Sequence, residues 1–95
     1  MRFEWDNEKA SRNIKKHGVS FGEATDLFFD DGPIIFDDPD HSIKEDRYLM
    51  VGLSREGRLL IVSFCERDSG EVIRIISSRK LTRSEERSFM KRWRR

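Results

Sequence analysis

The chain opens with a mixed aromatic and charged lead, Phe3-Glu4-Trp5-Asp6, and then settles into helical spacing. Ala10 and Ile14 lie four apart and mark a narrow apolar stripe, extended at its ends by Trp5 and His17. Asp6 is placed to accept the free amide hydrogens that begin this helix. Glu8 complements its dipole, and Gly18 can take the left-handed conformation that ends it. A second helix is predicted at once, with Phe21, Ala24, Leu27 and Phe28 on one side. Ser20 and Glu23 have the spacing of a capping box, in which each side chain satisfies a backbone donor at the helix start. Asp30-Asp31-Gly32-Pro33 stops the pattern.

Beyond it the period changes from helix to strand. Ile34-Ile35-Phe36 is a short β-branched run, and longer alternating runs follow at 47–53, 58–66 and 71–78. The connections Ser54-Arg55-Glu56-Gly57 and Arg67-Asp68-Ser69-Gly70 are short and contain glycine, which implies antiparallel hairpins. Thr82 and Glu85 repeat the capping-box spacing, and Phe89, Met90 and Trp93 form an apolar stripe on a final helix. The predicted fold is therefore α+β: two N-terminal helices, a four-stranded antiparallel sheet and a C-terminal helix. A chain of 95 residues has room for one core, so residues 1–95 read as a single domain.

Alternation sorts the strand residues by face. If Glu66 pairs with Glu71 and Ser54 with Arg58, one face carries Tyr48, Met50, Leu60, Val62, Phe64, Ile73 and Ile75, a core to lie under the helices. The other face mixes apolar residues with Ser63, Cys65, Ser78, Arg47 and Arg74. On it, the two arginines would flank the middle strand.

Composition narrows the function classes. Charged residues make up 39% of the chain and apolar ones 36%, yet seven Phe, two Trp and one Tyr supply core volume, so a folded domain is expected. The lone Cys65 cannot form an internal disulfide and fits a buried thiol in a reducing compartment. No apolar run approaches the roughly 18 residues of a membrane span, so the expected location is the cytoplasm. Net charge is only +1, but it is segregated. From Glu23 to Asp46 nine acids face one base, and from Arg79 to Arg95 eight bases face two acids. Such a basic end suits a polyanion such as nucleic acid, or is simply a solvated helix face.

The candidate chemistry centres on arginine. Arg74 interrupts the apolar run Val72-Ile73-Arg74-Ile75-Ile76, where a guanidinium is costly unless it meets water, a carboxylate or a phosphate. Glu45 or Glu66 could serve as its ion-pair partner. Arg79 and Lys80 extend the basic group to the strand end. An imidazole has an unperturbed pKa near neutrality, so His17 and His41 are candidate proton-transfer groups, although a His beside a Gly helix stop also serves as a cap. Asp37, Asp38, Asp40 and His41 match no calcium or zinc spacing, so neither a metal nor another cofactor is expected.

Taken jointly, Phe3-Glu4-Trp5-Asp6, Lys16-His17-Gly18-Val19, Asp38-Pro39-Asp40-His41, Glu66-Arg67 and Arg74-Ile75-Ile76-Ser77-Ser78-Arg79 resemble the BrnT toxins, the ribonuclease halves of bacterial type II toxin–antitoxin pairs. The resemblance spans nearly the whole chain, although Ser78 stands where related chains often have Ala. It implies a RelE-like microbial ribonuclease fold, metal-independent RNA cleavage that inhibits translation, and a hetero-oligomer with a BrnA-like DNA-binding antitoxin. On that footing Arg47, Arg74 and Arg79 would hold the scissile phosphate, and Glu66 or His17 would deprotonate the ribose 2′-hydroxyl. Lys16, Arg67 and Lys80 would contact the RNA. A non-catalytic nucleic-acid-binding module and an antitoxin-partner module remain as alternative classes.

Overall fold

The structure, a computed structural model, describes residues 1–38 and 46–93, with the side chain of Trp93 outside that description. Expectations for Asp40, His41, Glu45, Arg94 and Arg95 fall outside the described residues. The elements are β1 (Arg2–Glu4), α1 (Asn7–His17), α2 (Phe21–Ala24) running into a 3-10 turn (Thr25–Phe29), β2 (Ile34–Asp37), β3 (Arg47–Leu53), β4 (Leu59–Arg67), β5 (Val72–Lys80) and α3 (Arg83–Trp93). The sheet order is β1-β5-β4-β3-β2.

This is the α+β architecture with a fifth strand. β1 pairs in parallel with β5, Glu4 opposite Arg74, and the remaining neighbours are antiparallel. Three residues with alternating charge carry too short a period to announce a strand, and their pairing is long-range. The second helix is also shorter than expected. After one turn the Thr25 hydroxyl donates to the Gly22 carbonyl at 2.7 Å, and the chain tightens into 3-10 geometry.

The ends of α1 follow the sequence closely. Asp6 accepts from the Glu8 and Lys9 amides at 2.8 and 3.4 Å, and these bonds hold its carboxyl below the usual value. Gly18 has φ 69°, a conformation that costs any other residue, and its amide returns to the Ile14 carbonyl. The buried face is displaced from the expected stripe, however: Ile14 is 49% exposed while Asn13 is buried. The Asn13 amide donates to the Val19 and Ser78 carbonyls at 2.9 and 2.7 Å, and its oxygen accepts from the Ser78 amide at 3.2 Å. It thus bonds to β5 as a neighbouring strand would, beyond the point where β1 has ended.

The Ser20–Glu23 box is half formed. The Ser20 hydroxyl accepts from the Glu23 amide, but the Glu23 carboxylate turns away to Arg58 and to the Ser54 hydroxyl. A charge-assisted pair outcompetes a neutral backbone donor. The pair with Arg58 is the main reason the Glu23 carboxyl lies below its usual value, against the opposing effect of burial. Arg58 also donates to the Gly18 carbonyl, so this cluster ties the α1–α2 turn to the β3–β4 hairpin.

The β3–β4 register is the expected one, with Arg47 opposite Cys65 and Tyr48 opposite Phe64. The next hairpin closes at Arg67 and Val72 instead of Glu66 and Glu71, because Asp68, Ser69 and Gly70 all take positive φ and make the turn. A shift of two keeps every residue on its face. A bulge then changes the count: Phe64 faces Ile75 and Ser63 faces Ser77, leaving Ile76 as the extra residue. Beyond it the faces exchange, so Ser78 joins Val62 on the core side and Arg79 joins Ile61 on the other.

The main core is Val19, Phe21, Ala24 and Leu27 against Met50, Leu60, Val62, Phe64, Ile73 and Ile75, on the sheet face that alternation selected. Phe21 and Leu27 are almost fully buried, each contributing about 1.5–3 kcal/mol of transfer free energy. Gly52 lets this layer close, since a Cβ there would stand 3.2 Å from Pro33 and 3.3 Å from Leu27. The final helix does not join that layer. α3 covers part of the opposite face, where Phe89, Leu81 and Val51 are buried together with Ile34, Phe36 and Ile61 packed around them.

Candidate active site

Because α3 lies over only one end of that second face, the other end carries the arginines. Arg47 on β3 and Arg74 on β5 both pair with Cys65 on β4, which places their backbones about 10 Å apart. Two side chains of that length can converge on one phosphodiester. Both residues are partly buried, and Cys65 between them is buried and in no disulfide.

Arg74 has a partner that the sequence did not suggest. Its Nη1 donates to Glu4 Oε2 at 2.9 Å, and Arg67 Nε stands 3.7 Å from the same oxygen. Glu66, one of the two partners expected, is exposed and lies opposite Ile73, on the sheet side away from Arg74. Glu4 escaped notice because its strand did. The one available signal was the alternation of Arg2, Phe3 and Glu4 ahead of the Asp6 cap.

Arg79 shares the face but not the cluster. It pairs with Ile61, four residues along β4 from Cys65, or about 13 Å. Both its terminal nitrogens donate to Glu85, at 2.8 and 2.9 Å. Glu85 is also the reciprocal member of the Thr82 box, accepting from the Thr82 amide at 2.8 Å while its own amide donates to the Thr82 hydroxyl. The Arg79 pair first, and the Thr82 amide second, lower the Glu85 carboxyl from 4.5 to about 2. Engaging a phosphate would require Arg79 to leave this carboxylate.

The other candidates are dispersed. His17 ends α1, the helix whose Asn13 bonds to the edge of β5 at Ser78, four residues along that strand from Arg74. Lys16 is exposed on the same helix. Lys80 is exposed at the end of β5, opposite Leu60, and Arg67 is exposed beside Glu4. Asp38 is buried at the end of β2, its amide donating to the Arg47 carbonyl. Among the described residues no three His, Cys, Asp or Glu side chains cluster as a metal site, and no helix is long and apolar enough to cross a membrane.

A face with two guanidinium groups, a carboxylate and buried small residues can bind a phosphate and transfer a proton. A family model described as the BrnT ribonuclease toxin of type II toxin–antitoxin systems matches residues 5–85. The 1.1 Å crystal structure of the Brucella abortus ribonuclease toxin, BrnT, is similar over 87% of this chain and 99% of that one, with a TM-score of 0.69 and 25% identity. No curated protein matches the chain.

Proposed function

The chain belongs to the BrnT family of ribonuclease toxins from type II toxin–antitoxin systems, and from that premise we propose that its arginine-bearing sheet face cleaves RNA without a metal ion and so stops translation. The observation that carries this reading is the register that sets Arg47 and Arg74 on either side of Cys65. Their planar guanidinium groups match phosphate geometry and would hold the scissile group. Charge develops on the phosphoryl oxygens as the 2′-hydroxyl attacks in line, and fixed cations there lower the barrier more than they stabilise the ground state. The products are a 2′,3′-cyclic phosphate and a free 5′-hydroxyl. Arg79, farther along the same face, would be a third cation, available once it exchanges Glu85 for phosphate.

A toxin of a type II system has an antitoxin partner. We assign a BrnA-like DNA-binding antitoxin to this chain, joined to it in a hetero-oligomer, with RNA as substrate and the cytoplasm as compartment. Purified toxin incubated with RNA in EDTA should give fragments ending in cyclic phosphate. Cleavage that is lost in EDTA and restored by Mg²⁺ would overturn the metal-independent reading.

A further inference from the structure

We propose that Glu4 is the general base of this ribonuclease, an assignment that rests on the Arg47–Arg74 face being the cleavage site. Its carboxylate lies against the clamp: Oε2 is 2.9 Å from Arg74 Nη1 and 3.7 Å from Arg67 Nε, and the backbones of Glu4 and Arg74 are in direct register. The Glu4 side chain is 41% exposed, and among the described residues its Oε1 accepts no hydrogen bond. A guanidinium has five donors, so Arg74 can hold a phosphate with one edge while still touching this carboxylate with another.

Among the described residues the other carboxylates near this face are less suited, and Asp6, which feels the Arg74 charge, is spent on the Glu8 and Lys9 amides. Glu85 spends both oxygens on Arg79 and one also on the Thr82 amide, and its low pKa of about 2 makes it a weak base. Asp38, beside Arg47, is buried away from an incoming hydroxyl. Glu66 lies on the far side of the sheet, and His17 ends a helix that meets the β5 edge at Ser78, four residues beyond Arg74. Glu4 thus combines contact with the phosphate-binding arginine, access to solvent and an oxygen that accepts no hydrogen bond from the described residues.

In the step assigned to it, the 2′-hydroxyl proton passes to the Glu4 carboxylate as the 2′-oxygen bonds to phosphorus. The bond from phosphorus to the 5′-oxygen breaks, and that oxygen takes a proton from water. The resulting hydroxide removes the proton from Glu4, so the carboxylate is restored and no proton is consumed overall.

The test uses the full chain and a defined RNA oligonucleotide. Glu4→Gln keeps an acceptor oxygen for Arg74 but cannot take the proton. It should lower kcat about 10²- to 10⁴-fold, the usual contribution of a general base, with KM changed less than about threefold. Glu4→Ala should regain activity in added formate, which supplies a carboxylate to the gap. Wild-type kcat in Glu4→Gln, or failure of formate to rescue a folded Glu4→Ala, would overturn the assignment of Glu4. If Arg74→Ala remained inactive in the same assay, the cleavage face itself would stand. Should both Glu4→Gln and Arg74→Ala cleave normally, the assignment of the face would fall as well.

Discussion

Asn13→Ala would remove the amide that joins α1 to β5, and the structure sets the scale of the loss. Three hydrogen bonds disappear, to the Val19 carbonyl, the Ser78 carbonyl and the Ser78 amide. Each is worth about 1 kcal/mol net when made, and the backbone groups left behind are buried where water cannot replace the lost partner. The expected destabilisation is therefore about 2–4 kcal/mol, a large part of the roughly 5–15 kcal/mol that holds a domain together. For a chain of this size each kcal/mol moves Tm by about 4–8 °C, so the midpoint should fall by about 10–25 °C. Urea and thermal unfolding followed by circular dichroism would measure it. Asn13→Leu, which restores volume without hydrogen bonds, should be at least as unstable as most of the loss, and Asn13→Asp more so, because it sets a carboxylate against two carbonyl oxygens. A loss below about 0.5 kcal/mol in Asn13→Ala would refute the claim that this amide serves as a missing strand neighbour.

Two other stability outcomes follow from particular contacts. The Glu85 carboxyl, held at about 2 by Arg79 and the Thr82 amide, stabilises the fold above its ordinary value of 4.5, and that contribution is lost as pH falls from 4.5 towards 2. The full shift would correspond to about 3 kcal/mol, but both partners are more than a third exposed, so solvent screening reduces it to about 1 kcal/mol. Denaturation of Glu85→Gln should show a flatter stability profile across that window; an unchanged slope would contradict the pairing. Ser78 Oγ is buried without a hydrogen-bond partner among the described residues, so Ser78→Ala should raise stability by about 0.5–1 kcal/mol. A fall in urea midpoint would show that the hydroxyl is satisfied.

The elements whose information is local were legible in the sequence. Asp6, Gly18 and the Thr82–Glu85 box mark helix ends through short-range bonds, and alternation identified the core face and put Arg47 and Arg74 together on the other, while the two-residue shift of the β4–β5 hairpin moved Arg74 from Ser63 to a place opposite Cys65. What escaped depends on distant partners. The parallel strand β1 is made by pairing with a strand some seventy residues away, and with it came Glu4 as the counterion of Arg74. The bulge at Ile76 leaves no compositional mark, yet it decides which side of the sheet Ser78 and Arg79 occupy. The capping-box spacing at Ser20 was present, but Arg58 from a later hairpin claimed the Glu23 carboxylate. The final helix was predicted in the right place along the chain, while its docking on the second face follows from the apolar residues Val51 and Ile61 that alternation had already put there.

The central claim is that the Arg47–Arg74 face is where RNA is cut. Its most direct test is the single-turnover cleavage rate of a defined RNA by Arg74→Ala beside the wild-type chain, with folding of both checked by thermal unfolding. The mutant should remain folded and lose cleavage by about 10²-fold or more. Wild-type cleavage by a folded Arg74→Ala protein would contradict it.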